Sequence, residues 1–217
     1  AVIESLEARG LRVIPAFASG LDARPAVKAF FMERGEPVVD AVVSLTGFSL
    51  VGGPAYNDSV AAVKELKALD VPYIAAHPLE FQTLEQWEVS SQGLGPIETT
   101  MLIALPELDG ATNPTVFAGR HGESSTSSDK SVAVVGNPMA PCRERIEKLG
   151  ARIEKLANLR RVEVNDKKVA IVLFGFPPNA GAAGTAAYMD VFASLYNTLK
   201  AMEDRGYEID VPESVEE

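Results

Sequence analysis

Glycines set between a buried strand and a helix start are the first feature of this sequence with a chemical use. Residues 169–176 are a continuous apolar run, the pattern of a strand covered on both faces. Pro177 and Pro178 stop it, a loop with Gly181 and Gly184 follows, and an amphipathic helix begins near Thr185. Backbone N–H groups at such a helix start can face an anion; a tight strand-to-helix connection is the alternative. The loop has neither Gly-Lys-Ser/Thr nor Gly-x-Gly-x-x-Gly, so the two commonest nucleotide motifs are ruled out there. A second glycine loop, Thr46-Gly-Phe-Ser-Leu-Val-Gly-Gly-Pro54, carries Gly47, Gly52 and Gly53. These permit either a sharp structural turn or close approach of backbone to a ligand. Both histidines, His77 and His121, fall in stretches that read as loops, with Glu80, Asp22 and Glu123 as acidic neighbours. These are metal-ligating types. No two of them have the i,i+3 or i,i+4 spacing of ligands on a helix, and a packed loop histidine is the alternative for each. No Gly-x-Ser-x-Gly occurs, so a serine hydrolase is unsupported.

The elements that would position these residues follow from periodicity. Residues 12–17, 38–45, 72–76 and 115–118 read as strands, and 132–135 as a short edge strand. Helical spacing covers 26–32, 59–69, 84–89, 97–105, 143–161 and 188–202. Strands alternating with helices predict an α/β fold, a Rossmann-like or flavodoxin-like parallel sheet with flanking helices. In such a sheet ligands gather beyond the carboxyl ends of the strands, where the 18–22, 46–54, 77–81 and 119–123 stretches belong. Residues 122–130 are small and polar without period and read as a surface loop. A boundary is expected near 160–168. It separates a first domain, 1–160, which includes the long 143–161 helix, from 168–217, the opening strand, loop and helix of a second α/β domain.

Bulk properties narrow the function classes. The 217 residues suffice for one large or two small domains. With 20 basic against 30 acidic residues the net charge is −10, which disfavours nucleic acid as a partner. Cys142 is the only cysteine, so no disulfide forms within the chain. No apolar run reaches the ~18 residues of a membrane helix. The opening residues carry Glu4 and Glu7 where a signal peptide would be basic. They form a helix leading straight into a strand, so the first strand of the sheet, and further material at both ends, is expected to lie outside this sequence.

Several strings occur in one order: Ala41-Val-Val-Ser-Leu-Thr-Gly-Phe-Ser-Leu-Val-Gly-Gly-Pro-Ala55, Leu69-Asp-Val-Pro-Tyr-Ile74 with Phe81-Gln-Thr83, Pro106-Glu-Leu-Asp-Gly110 with Val116-Phe-Ala-Gly-Arg120, and Phe174-Gly-Phe-Pro-Pro-Asn-Ala-Gly-Ala-Ala-Gly-Thr-Ala-Ala-Tyr188. Together they resemble the large porphyrin-binding subunit of magnesium chelatase, with the large subunit of cobaltochelatase as a more distant relative. The resemblance covers most of 10–120 and 168–207. It implies a ligase forming nitrogen–metal bonds, with protoporphyrin IX and Mg2+ as substrates, in chlorophyll or bacteriochlorophyll synthesis. It also implies that ATP is used by two smaller ATPase-type partner subunits, in the cytoplasm or a plastid stroma. The isolated chain is then expected to be inactive, and no catalytic residue can be carried over. Porphyrin contacts would fall to Gly47, Gly52, Gly53, His77, Arg120, Gly181 and Gly184, with Arg120 pairing a propionate. Phe48, Tyr56, Phe81 and Trp87 would offer flat surface. His77, Glu80 and His121 are the candidates for metal. Two alternatives stand beside this: a non-catalytic module that docks partner subunits through its acidic surface and the 143–161 helix, and a cobaltochelatase of cobalamin synthesis.

Overall fold

The computed structural model describes residues 1–53, 55–122, 138–173 and 189–215. The chain divides into two compact units, Ala1–Ala157 and Asn158–Glu217.

The first unit opens with helices α1 (Val2–Glu7) and α2 (Arg24–Phe30) and a small hairpin, β1 (Met32–Glu33) with β2 (Glu36–Pro37). Strand β3 (Val42–Ser44), the hairpin β4 (Gly52–Gly53) with β5 (Tyr56–Asn57), and helix α3 (Ser59–Leu69) follow. Next come the long strand β6 (Tyr73–Thr83), α4 (Leu84–Val89), and a helical run made of α5 (Pro96–Glu98), a π-helical turn (Thr99–Ala104) and α6 (Leu105–Asp109). Strands β7 (Thr112–Arg120) and β8 (Ala140–Pro141) and helix α7 (Arg143–Leu159) complete the list. The central sheet has the order β3-β6-β7-β8. β3, β6 and β7 run parallel, with Val42 opposite Tyr73 and His77 opposite Val116; β8 is antiparallel, with Ala118 opposite Pro141. Helical connections join the parallel strands, as the α/β expectation requires, and the short β8 makes the sheet mixed.

Alternation along β6 explains the layers. Tyr73 and Ala75 face a core with Val27, Ala62 and Leu69 from α2 and α3. Ile74 and Ala76 face the opposite core, with Leu6 of α1 and Leu149 and Ile153 of α7. Successive strand residues point to opposite faces, so both faces carry helices. α3 forms where its sequence signals say. Asp58 accepts a 2.9 Å bond from the Ala61 N–H as N-cap, and Asp70 ends the helix in the left-handed region at φ 47°. α7 buries Ile146, Leu149, Ile153 and Ala157, so its apolar stripe is committed to the core and only its polar face is left for a partner. α1 lies against it closely. Arg9 binds Glu147 at 3.0 Å and Glu154 at 3.1 Å, and a Cβ at Gly150 would stand 2.9 Å from Ser5 Oγ.

Several expectations are corrected. Residues 12–17 are not a strand: Pro15 supplies no N–H to a ladder and Phe17 is 87% exposed. The 38–45 strand shortens to Val42–Ser44. Residues 77–81, expected as a loop, are the second half of β6. Pro78 does not end this strand but sits at register shifts, with Pro78 opposite Ala118 and Thr83 opposite Arg120. A proline is tolerated in a strand at such a bulge. The helix expected over 97–105 is present, with a π-helical turn inside it.

In the second unit, a short 3-10 turn (Val164–Asp166) precedes helix α8 (Val191–Glu203). Asp190 caps α8 through the Ala193 N–H at 2.9 Å. The strand expected over 169–176 is corrected in its described part, because residues 169–173 join no ladder. Gly181, Gly184 and Glu123, and the expected loop and edge strand at 123–135, lie outside the described residues.

Candidate functional site

The loop after β3 is built by its glycines and one buried carboxyl. Gly47 has φ +70°; a Cβ there would lie 2.9 Å from Leu102 Cδ2 and 3.4 Å from His77 Cβ. The loop therefore crosses directly over His77, and the structure brings these two candidate residues together. Ser49 Oγ donates to Asp109 Oδ2 at 2.7 Å, and the Leu50 N–H donates to the same oxygen at 2.7 Å. Burial raises the Asp109 pKa, opposed by those two bonds. Nearby, burial pushes the Tyr73 hydroxyl up to about 12. Gly52 and Gly53 have a structural reason. At φ +128° a Cβ on Gly52 would stand 2.2 Å from the Tyr56 carbonyl oxygen, and one on Gly53 would meet Leu21 at 3.0 Å.

The charged candidates disperse. Asp22 grips Arg24 through a 2.7 Å bond, and that hydrogen bonding is the first cause of its lowered pKa. Glu80 and Arg120 lie 3.9 Å apart at the carboxyl end of the sheet. His121 Nδ1 is 2.6 Å from Glu85 Oε1, while the Gly122 N–H donates to Oε2 at 2.9 Å. The His121 bond, then the Gly122 bond, hold the Glu85 carboxyl down at about 2. Among the described residues no three His, Cys, Asp or Glu side chains gather as a metal cluster, so His77, Glu80 and His121 form none. Of the aromatic candidates, Tyr56 and Phe81 are well exposed, whereas Trp87 packs beside Leu79, Leu84 and Val116.

His77 stands apart. It is 1% exposed, and neither ring nitrogen has a hydrogen-bond partner. Burial lowers its pKa to about 4, against the opposing influence of Glu98, so the ring is neutral at ordinary pH. Glu98 is itself buried and accepts from Gln82 Nε2 at 2.5 Å, the Gly95 N–H at 3.3 Å and the Phe81 N–H at 3.4 Å. His77 lines a cavity of about 220 Å³ together with Trp87, Ile103, Thr115 and three cations of α7, Arg145, Lys148 and Arg152. The Arg145 guanidinium sits 5.0 Å over the Trp87 ring, and Arg152 Nη1 donates to Thr115 Oγ1 at 3.1 Å. None of these three cations was singled out from the sequence. Their i, i+3, i+7 spacing is the signal that would have grouped them.

Comparison with known proteins sets this geometry in a family. The model of the family described as CobN/Magnesium Chelatase matches residues 1–217. The chain belongs to the CobN/magnesium chelatase family. It is 59% identical over 222 residues to the magnesium-chelatase H subunit of Cereibacter sphaeroides, covering 100% of this chain and 19% of that protein. It is 46% identical over 219 residues to the chloroplastic magnesium-chelatase ChlH subunit of Oryza sativa subsp. indica, covering 100% of this chain and 15% of that protein. Among solved structures, the catalytic subunit of cobaltochelatase from Mycobacterium tuberculosis superposes with a TM-score of 0.71 at 25% identity, over 95% of this chain and 16% of that one. This family chain thus spans less than one fifth of the length of the curated relatives it matches. The α/β architecture of this chain is thus shared with a cobaltochelatase subunit, and its higher identities are to magnesium-chelatase H subunits.

Proposed function

We propose that this chain is part of the porphyrin-binding H subunit of an ATP-dependent magnesium chelatase, which inserts Mg2+ into protoporphyrin IX in chlorophyll or bacteriochlorophyll synthesis. The observation that carries this reading is the 59% identity to a magnesium-chelatase H subunit over the whole chain. ATP hydrolysis belongs, in this reading, to two smaller partner subunits. The compartment is the cytoplasm, or the plastid stroma in a photosynthetic eukaryote; among the described residues no helix is long and apolar enough to cross a membrane. Residues 1–160 act as one α/β domain and 168–217 open a second, a division supported by the separation of the chain into two compact units.

Gly47, Gly52, Gly53, Arg120, Gly181 and Gly184 remain the residues proposed to face the porphyrin in the whole subunit, whereas His77, 1% exposed beneath Gly47, supports that loop from below and does not touch the macrocycle. The 220 Å³ cavity beside His77 is below the ~300 Å³ at which pockets begin to enclose drug-sized ligands. The macrocycle is therefore proposed to lie across loop surface, not in that cavity. The test is a fluorescence titration of the full-length subunit with a porphyrin, followed by Mg2+ insertion with and without the ATPase partners and ATP. Porphyrin binding alone, with insertion only in the complete mixture, is expected. Preference for Co2+ and a corrin ring would move the chain to the cobalt branch. Lack of porphyrin binding would favour the docking-module alternative.

A further inference from the structure

We propose that the cavity between β7 and α7 is a binding site for a small oxyanion, a carboxylate or phosphate compound, with His77 at its floor. Three observations converge. The floor carries a side chain that is 1% exposed with both ring nitrogens unpartnered. Buried polar atoms in folded proteins almost always have a partner, so this ring, in the wall of the cavity, holds hydrogen-bonding capacity that nothing in the chain meets. The rim is cationic: Arg145, Lys148 and Arg152 line it. Of these, Arg145 and Lys148 share one carboxylate, Glu144, and Arg152 bonds a neutral hydroxyl on Thr115. Three cations against one carboxylate leave a positive rim on a chain whose net charge is −10. Finally, the rim is open to solvent: the Arg145 and Lys148 side chains are 40% and 62% exposed.

Volume and donor chemistry define the ligand. About 220 Å³ corresponds to roughly seven waters at ~30 Å³ each, which suits a three- to five-carbon dicarboxylate or a phosphate. Arg145 is already stacked on Trp87 and so held in place, and a guanidinium matches two oxygens of a carboxylate or phosphate at once. The neutral ring of His77 offers one donor and one acceptor. Buried Glu98 repels a second negative charge at the floor. The ligand's anionic group therefore sits at the α7 rim and a neutral polar group, or a protonated second acid, points at His77. This site is separate from the proposed porphyrin surface and its test does not depend on that reading.

The chain contains only two histidines, which makes the experiment direct. The 217-residue chain with ring-15N histidine is titrated at pH 7.5 with malonate in one series and inorganic phosphate in another, at ionic strength fixed with chloride. Saturable shifts of the His77 ring resonances, with His121 unmoved, are expected, and the tighter series identifies the carboxylate or phosphate class. Arg145→Gln with Arg152→Gln should weaken the half-saturation at least tenfold with the circular dichroism spectrum unchanged; these are surface positions that leave the core intact. Shifts that are linear, equal for both histidines or reproduced by chloride overturn the proposal. Retention of full affinity in the double variant does so as well. A Tm rise with malonate or phosphate in the full-length subunit, absent in the double variant, is the expected second readout.

Discussion

Asp109 and His77 are buried to the same degree, 2% and 1% exposed, in the same unit, yet their surroundings differ in kind. Asp109 collects two 2.7 Å bonds from Ser49 and Leu50 and thereby fixes the turn between Gly47 and Gly52. The His77 ring, beneath Gly47 of that turn, has no hydrogen-bond partner on either nitrogen and lines a cavity. A buried polar group with short bonds to a loop is a fastener. One without them holds unmet hydrogen-bonding capacity, and its energetic weight appears only when conditions change its charge or fill its cavity.

The loop side of the comparison should break most violently at Gly52. Its φ of +128° is open to glycine alone, and an added Cβ would lie 2.2 Å from a backbone oxygen that cannot swing away. Gly52→Val is expected to cost about 3–4 kcal/mol, combining backbone strain with opening of the β4–β5 hairpin. Urea unfolding would measure it; a loss below ~1 kcal/mol would mean that the hairpin rearranges freely.

The cavity side should break with acid. The His77 pKa is about 4 when folded, against 6.5 ordinarily. The unfolded chain therefore takes up the proton first, and stability falls as pH drops from 6.5 towards 4. At 1.36 kcal/mol per pH unit this amounts to ~3 kcal/mol. The difference in unfolding free energy between the parent and His77→Leu, followed from pH 7 to pH 4.5, isolates this contribution. The leucine variant should be as stable as the parent at neutral pH and more stable in acid. Asp109 has the opposite sign. Its raised pKa means that the folded state holds the proton longer, so its contribution is best below 3.8 and is lost as pH rises through the folded pKa.

Removing the fastener itself should have an intermediate effect. Asp109→Ala leaves Ser49 Oγ and the Leu50 N–H without their carboxyl partner. The expected cost is about 2 kcal/mol, reduced by relief of the buried acid. Hydrogen exchange at the Leu50 amide should rise by at least tenfold, whereas exchange on β7 should hold.

How much of this was legible in the sequence depends on the range of the interactions. α3 was readable because Val60, Val63, Leu66 and Leu69 keep a helical spacing across 59–69, a local signal, whereas its caps Asp58 and Asp70 came with the structure. α7 was readable because Ile146, Leu149 and Ile153 repeat every three or four residues. The second half of β6 was not, because Pro78 reads as a break unless the bulge that accommodates it is known. Residues 12–17 have a strand's composition but no neighbour to pair with. The site followed the same rule. The need for Gly47 and Gly52 was visible in a glycine-rich loop. Asp109 lies 60 positions from Ser49, and no spacing announces that contact. His77 was singled out as a loop ligand; its burial and its three cationic neighbours on α7 arise only when β7 and α7 come together. The strings of the family resemblance conveyed the lineage without conveying these contacts.

The two regions meet at Gly47, and the smallest expected effect tests whether they communicate. A Cβ at this position would touch Leu102 Cδ2 at 2.9 Å and His77 Cβ at 3.4 Å, with φ at +70°. The left-handed conformation disfavours alanine by about 1 kcal/mol. The Leu102 contact adds little, because a leucine terminus can turn aside. Gly47→Ala should therefore lower stability by about 1 kcal/mol, the least of these changes. Its informative consequence is elsewhere. If the loop roofs His77 rigidly, the added methyl displaces the ring and the His77 resonance shifts in the absence of any anion. In that case Gly47→Ala and His77→Leu should couple by ~0.5 kcal/mol or more in a double-mutant cycle. Strict additivity, with an unshifted His77 resonance, would show that the fastened loop and the open cavity are independent neighbours. The loop could then move on binding a macrocycle without disturbing the anion site.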